Sequence, residues 1–243
     1  MQLHSAELDW ITPDAERVIA RHARVSTKDP DREEYEKLLT YCIKHAHWSV
    51  FEQASVSFEI STTRAISPQI LRHRSFVFQE LSQRYCAPSE TLDIEEKPFQ
   101  FELRFQAQKN RQSSVDRLPV YMCESFWERL EIVDSQIQGL YNEMLEAGVA
   151  RECARNILPL YTPTRMHMSG TVRSFIHYVG LRGKEDTQKE HRDIARSIGY
   201  RLARELPTVI KAVRESGDSA LEGWSFLRSS YSGERLGSGS DSV

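Results

Sequence analysis

The apolar positions Tyr35, Leu38, Leu39, Cys42, Ile43 and Ala46 recur at helical spacing after Asp29-Pro30 and a run of acidic residues, which predicts an amphipathic helix over 29–47. Ala54, Val56, Phe58 and Ile60 alternate with polar residues as a half-buried strand does, and Phe99, Phe101, Leu103 and Phe105 repeat that pattern. The polar stretch 106–118, with its lysine and glutamines, reads as a surface excursion. Two longer helices are predicted, one from Val120 to Ala147 ending near Gly148, the other from about Thr187 into the 200s, where Pro207 ends or bends it. The order of elements implies an α+β fold, with mixed helices around a small, largely antiparallel sheet and no repeat of fixed period.

Composition narrows this picture. A chain of 243 residues, 40% hydrophobic and 28% charged, suits one globular domain, which we assign to 1–215. The remainder, 216–243, carries nine serines and five glycines and reads as a mobile tail, although Trp224, Phe226 and Leu227 give it the means to dock. No apolar run approaches the ~20 residues of a membrane span. Met1 to Asp9 lacks the basic-then-apolar pattern of a leader, so a cytoplasmic protein is expected. A net charge of -3 provides no general field for nucleic acid or lipid. Cys42, Cys86, Cys123 and Cys153 are too scattered for a disulfide framework or a thiolate zinc site.

Arginine outnumbers lysine 24 to 8, and between Arg64 and Arg84 every cation is an arginine. A rigid fork of donors suits phosphate or carboxylate recognition better than a mobile ammonium does, with surface salt bridges as the plainer reading. Neither G-x-G-x-x-G nor G-x-x-x-x-G-K-[ST] occurs in the body of the chain, so a Rossmann or P-loop turn is not expected. The densest chemistry lies over 69–85, Gln-Ile-Leu-Arg-His-Arg-Ser-Phe-Val-Phe-Gln-Glu-Leu-Ser-Gln-Arg-Tyr. We expect a helix that places Arg72 and Arg74 on different faces, then a loop carrying Glu80, Ser82 and Arg84. Together they offer paired donors for a phosphate, and an acceptor and amides for a base edge.

Arg72-His73-Arg74, seven residues and then Ser82 resembles the R-H-R-x7-S signature of flavin-dependent thymidylate synthases, and the likeness continues through Glu80, Arg84 and Tyr85. Ala23-Arg24-Val25-Ser26, His45-Ala46-His47 with Phe51-Glu52, and Arg155-Asn156-Ile157-Leu158-Pro159 with Arg165, Arg173 and Arg182 agree in order, so the resemblance spans about residues 15 to 205. It implies a homotetramer with sites between subunits. The implied reaction converts dUMP to dTMP, with methylenetetrahydrofolate as carbon donor and NADPH as reductant through FAD. By position, dUMP is held by Gln69, Arg72, Glu80, Leu81, Ser82, Gln83, Arg84, Arg155 and Arg182. The flavin is held by Ser26, Ser49, Glu52, Arg72, His73, Arg74, Glu80, Thr171, Arg173 and His177. Arg72, Ser82, Arg182 and His47 surround the reacting atoms. Thr171, His177 and Gln79 stand where the family pattern has asparagine, and Trp48-Ser49-Val50 replaces a threonine-proline pair.

The residues also argue about mechanism directly. Cys86 precedes Ala87-Pro88 with no neighbouring histidine to activate it, and Ser82 has only Glu80 nearby among arginines that depress its basicity. Both point away from a protein nucleophile and give Ser82 a binding role. Two other classes stay open at this level. His45, His47, Glu52 and His73 are possible ligands of a metal-dependent nucleotide phosphohydrolase, although they lack H-E-x-x-H spacing. The arginines with Phe76, Phe78 and Tyr85 mimic a stacking platform for single-stranded nucleic acid.

Overall fold

The computed structural model describes residues 2–87 and 101–228. In chain order the first half holds β1 (Ser5–Ile11), α1 (Ala15–Ala23), α2 (Glu36–Lys44), a 3-10 turn (Trp48–Glu52), β2 (Ser55–Thr63), α3 (Ser67–Ile70) and β3 (Val77–Glu80). The second half holds β4 (Arg104–Gln106), β5 (Ser114–Arg117), α4 (Val120–Glu146), α5 (Arg151–Ala154), a 3-10 turn (Arg155–Ile157) and β6 (Pro163–Thr171). It closes with α6 (Val172–Arg182), α7 (Lys189–Glu205), α8 (Pro207–Glu215) and a 3-10 segment (Ser219–Arg228). The main sheet has the order β1-β2-β6-β3 with every neighbouring pair antiparallel, which is the expected α+β class.

The longest ladder joins β2 to β6, from Ser55 opposite Thr171 to Thr63 opposite Pro163. Val56, Phe58 and Ile60 face the core as their alternation predicts, together with Met166 and Met168. The other face of β2 is buried too, which hydropathy does not announce, because its side chains there are small hydroxyls tied to their neighbours. Ser57 donates to Asp9 at 3.2 Å and accepts from Ser169 at 2.8 Å.

Several boundaries differ from expectation for local reasons. The helix expected over 29–47 begins only at Glu36, since Arg24 donates to the carbonyls of Arg32 and Glu34 and holds that stretch as a loop. It ends at Lys44 in a Schellman turn: the amide of Ala46 reaches the carbonyl of Ile43 and that of His47 reaches Cys42, with Ala46 at φ 54 where glycine is usual. The aromatic strand centred on Phe101 contracts to β4, which pairs only with β5 in a separate ribbon and leaves Phe101 41% and Phe105 45% exposed. Phe99 lies outside the described residues. The excursion over 106–118 therefore supplies the second strand of that ribbon. As expected, the helix before Pro207 ends, at Glu205; Pro207 then opens α8, in whose first turn the Val209 amide donates to the buried carboxylate of Glu16 at 2.8 Å.

The 3-10 segment following α8 packs into the core. Trp224 is 1% exposed, its indole donates to the carbonyl of Ile176 at 2.9 Å, and Leu221 and Leu227 are buried beside it. Two glycines permit the approach: a Cβ on Gly183 would lie 2.3 Å from the carbonyl oxygen of Gly223, and one on Gly223 would lie 2.3 Å from that of Val179. The first part of the serine- and glycine-rich end is thus structural, and the assigned tail beyond Arg228 falls outside the described residues. Trp224→Ala is expected to lower unfolding free energy in urea by about 3–5 kcal/mol, the usual loss for a buried aromatic; a loss below about 1 kcal/mol would show the segment to be an appendage.

Candidate functional site

The run 69–85 folds differently from expectation. Helix α3 stops at Ile70, and Arg72 and Arg74 sit instead on successive tight turns, with the amide of His73 bonded to Ile70 and that of Phe76 to His73. Arg72 and Arg74 are exposed while His73 turns inward. Glu80 is not in a loop but ends β3.

His73 meets Arg182 at the end of α6. The Arg182 Nε donates to His73 Nε2 at 3.0 Å, so the imidazole is neutral with its proton on Nδ1. Its ring lies edge-on to Tyr178 at 4.9 Å and to His191 at 6.1 Å, and Tyr178 and His191 are hydrogen-bonded at 3.0 Å. Burial first, then the charges of Arg182 and Arg72, push His73 down to about 4. Burial and the same cations push His191 down to about 3. Burial drives the Tyr178 hydroxyl up. A neutral acceptor behind Arg182 fixes the guanidinium without cancelling its charge, as a carboxylate would. Gln69 donates to Gln188 at 2.8 Å, just beyond the loop that follows Arg182.

Strand β3 separates two further groups. At its start, the Ser174 hydroxyl donates to the carbonyl of Ser75 at 3.3 Å, Arg173 pairs with Glu52, and Thr171 caps α6 by accepting from the Ser174 amide. His177 packs edge-on against Trp48 at 4.6 Å, its basicity lowered by burial and Arg173. At its other end, Glu80 accepts from Arg64 at 2.5 Å and Thr164 at 3.0 Å, and the amide of Leu81 continues the ladder to Arg165. Ser82 then opens a turn, accepting from Tyr85 and Arg84 amides. Gln83 Nε2 is buried with no acceptor among the described residues, and Arg84 reaches Glu152 at 3.3 Å, beside the turn that carries Arg155. The four residues of β3 keep these groups about 10 Å apart.

Ser49 lines a concavity of about 740 Å³ with Arg21, His22 and Val25, the neighbour of Ser26. His47 is exposed, its ring 5.6 Å from that of Tyr41. One chain therefore joins His73 with Arg182, Glu52 with Arg173, and Glu80 to Arg84 with the Arg155 turn, but does not join His47 or Ser26 to these. Arg72, Arg74, Arg155 and Arg165 have no carboxylate partner among the described residues, as an anion-binding face requires and a salt-bridged surface does not. Sequence reasoning missed Arg64, Tyr178, Gln188 and His191, whose contacts join segments too distant for any spacing to reveal.

The two other classes lose their geometry. Among the described residues, imidazole and carboxylate atoms converge at Asp9, Glu59 and His167, not at His45, His47, Glu52 and His73. Phe76 and Phe78 pack into the core, Phe76 lying 4.8 Å from the Phe175 ring, so they do not form a stacking platform.

A family model described as thymidylate synthase complementing protein matches residues 8–208. The chain is 46% identical over 204 residues to a probable flavin-dependent thymidylate synthase of Paramecium bursaria Chlorella virus 1, covering 82% of this chain and 90% of that one. It is 46% identical over 198 residues to the flavin-dependent thymidylate synthase of Synechocystis sp., covering 82% and 89%. The fold is similar, with TM-score 0.71 and 22% identity over 88% of this chain and 97% of the other, to a UMP/dUMP methylase of Streptomyces cacaoi solved with 5-Br dUMP.

His73 and His191 titrate near 6.5 when unfolded but near 4 and 3 in the native protein, so protons bind the unfolded chain preferentially. Their contribution to stability is complete above about pH 6.5 and is lost as the pH falls through that value toward 4 and then 3. Thermal unfolding across this window should show that loss, and His191→Gln, which keeps a partner for Tyr178, should reduce it to the share of His73; a slope unaltered by the substitution would place the His191 ring in water.

Proposed function

The chain belongs to the family of flavin-dependent thymidylate synthases, and on that premise we propose that it methylates dUMP to dTMP, with methylenetetrahydrofolate as carbon donor and NADPH as reductant through bound FAD. The observation that carries this reading is the neutral His73 that orients Arg182, with Arg72 beside it, in the turn of the signature run. The donor set fits a flavin dinucleotide. Arg21 and the Ser49 hydroxyl line the concavity and are donors of the kind a diphosphate takes, Arg21 also pairing with Asp31 at 3.1 Å. The flavin, when bound, supplies hydride and one-carbon transfer.

The protein's own residues bind, orient and hold charge. Arg182 is fixed through Nε, which leaves its terminal nitrogens to stabilise negative charge on the uracil as it develops. Arg84 and Arg155 suit the nucleotide phosphate, and the buried, unpartnered Gln83 amide offers a further donor. Glu80 is engaged by Arg64 and Thr164, so it orders its strand end while its second oxygen remains available. Ser82 is committed to its turn, and the Cys86 thiol donates to the Ser82 carbonyl at 3.7 Å, which supports a mechanism without a protein nucleophile.

A homotetramer follows from two features. Ser26 and His47, which the family resemblance assigns to the site, make no contact with the His73–Arg182 group among the described residues, and α4 exposes Tyr121, Phe126, Ile132, Val133 and Leu140. No helix among the described residues is long and apolar enough to cross a membrane, and we assign the enzyme to the cytoplasm.

Absorption spectra with FAD, then dUMP, followed by anaerobic turnover with NADPH and methylenetetrahydrofolate, test the reading. Retained flavin bands that shift with dUMP, and dTMP as product, are expected; a protein that cannot be loaded with FAD would refute it. Arg182→Ala should lower kcat/KM by about a hundredfold or more with little change in unfolding midpoint, and Arg182→Lys should not restore it, because an ammonium has no fork.

A further inference from the structure

We propose that Gln188 is a positioning residue for the nucleotide, holding the Gln69 carboxamide in one orientation through a hydrogen-bonded relay anchored on Arg104. This rests on the reading that Gln69 contacts dUMP. Three segments distant in sequence form the relay. Arg104 Nη1 donates to Glu190 Oε1 at 2.7 Å, Gln188 Nε2 donates to Glu190 Oε2 at 3.0 Å, and Gln69 Nε2 donates to Gln188 Oε1 at 2.8 Å.

Chemistry forces the direction of each link. Burial alone would raise the Glu190 carboxyl, but the hydrogen bond and charge of Arg104, with Gln188, hold it below the ordinary carboxylate range. An ionised carboxylate only accepts, so the Gln188 amide nitrogen must face it and the Gln188 oxygen must face Gln69. One Gln69 N–H is then engaged, which fixes the amide plane, and its oxygen is presented as an acceptor for an N–H or O–H of the nucleotide. Without the relay the amide is free to flip and present its NH2 instead.

Gln188 has no competing structural duty. It occupies the N-cap position of α7, yet its side chain makes no capping hydrogen bond. The anchor, in contrast, is firm: the Arg104 side chain is only 12% exposed and also pairs with Glu102, which binds Arg117 and Lys189 as well. The ribbon β4–β5, which forms no part of the main sheet, thereby acquires a purpose as the brace of a substrate contact.

Steady-state kinetics of the intact enzyme decide the matter. Gln188→Ala should raise the KM for dUMP about tenfold, the cost of one well-placed hydrogen bond, with kcat within about twofold and the KM for NADPH unchanged. Gln188→Glu alone should be as poor or worse, because two carboxylates then face each other. The double variant Gln188→Glu, Glu190→Gln rebuilds the relay with Gln69 still the donor to position 188 and the 188–190 link reversed, and should return the KM to within about threefold of wild type. Should the alanine variant fold poorly, Gln188→Met, which keeps the stem, answers by the same measurement. An unchanged KM in a variant that turns over normally, or no rescue in the double variant, would overturn the proposal and leave dTMP synthesis standing. A wild-type enzyme that makes no dTMP would instead remove the reading beneath it.

Discussion

The nine-residue antiparallel ladder between β2 and β6 is the constraint on which the remaining architecture depends. It joins residues about a hundred positions apart, and each strand end delivers one component of the site. β2 runs into α3 and the Arg72-His73-Arg74 turns, while β6 leads without a break into α6, which ends at Arg182. The contact of His73 with Arg182 is thus a consequence of register. A slip of one residue would turn Val56, Phe58 and Ile60 out of the core and carry α6 away from the signature turn.

Burial then decides the electrostatics. His73 and His191 are removed from water beside arginines, so both remain neutral at physiological pH and act as hydrogen-bonding and packing groups. The positive charge of Arg182 is oriented but not neutralised, while Arg64 and Arg173, which do have carboxylate partners, order the strand end and the helix start. Arg64 and Arg173 thus serve the fold while Arg182 keeps its charge for a ligand, and Arg84, which reaches Glu152 at the surface, stands between the two.

Helix α4 is sparsely covered by the rest of the described chain. Its 27 residues span about 40 Å, yet only Cys123 and Tyr141 are buried. Packing within the chain does not account for the aromatic and aliphatic residues along it, which have the composition of an interface. His47 and the concavity lined by Arg21 and Ser49 make no contact with His73 or Arg182 among the described residues.

The sequence by itself determined the element types wherever apolar periodicity was long, as in β2, α4 and α7, and it determined the chemistry of the signature run, since residue identity and spacing there are local properties. It misjudged the helix over 29–47, because a backbone capture by Arg24 and a left-handed Ala46 leave hydrophobic spacing unchanged. It misjudged the run after Ile70, where turns replace a helix, while the docking that Trp224, Phe226 and Leu227 made possible is realised in the core. Only the tertiary structure decided which arginines have acids, which histidines are neutral, and that Gln188 reaches Gln69. Each of these depends on contacts between segments distant in sequence and on the low dielectric those contacts create, and neither is written in local order.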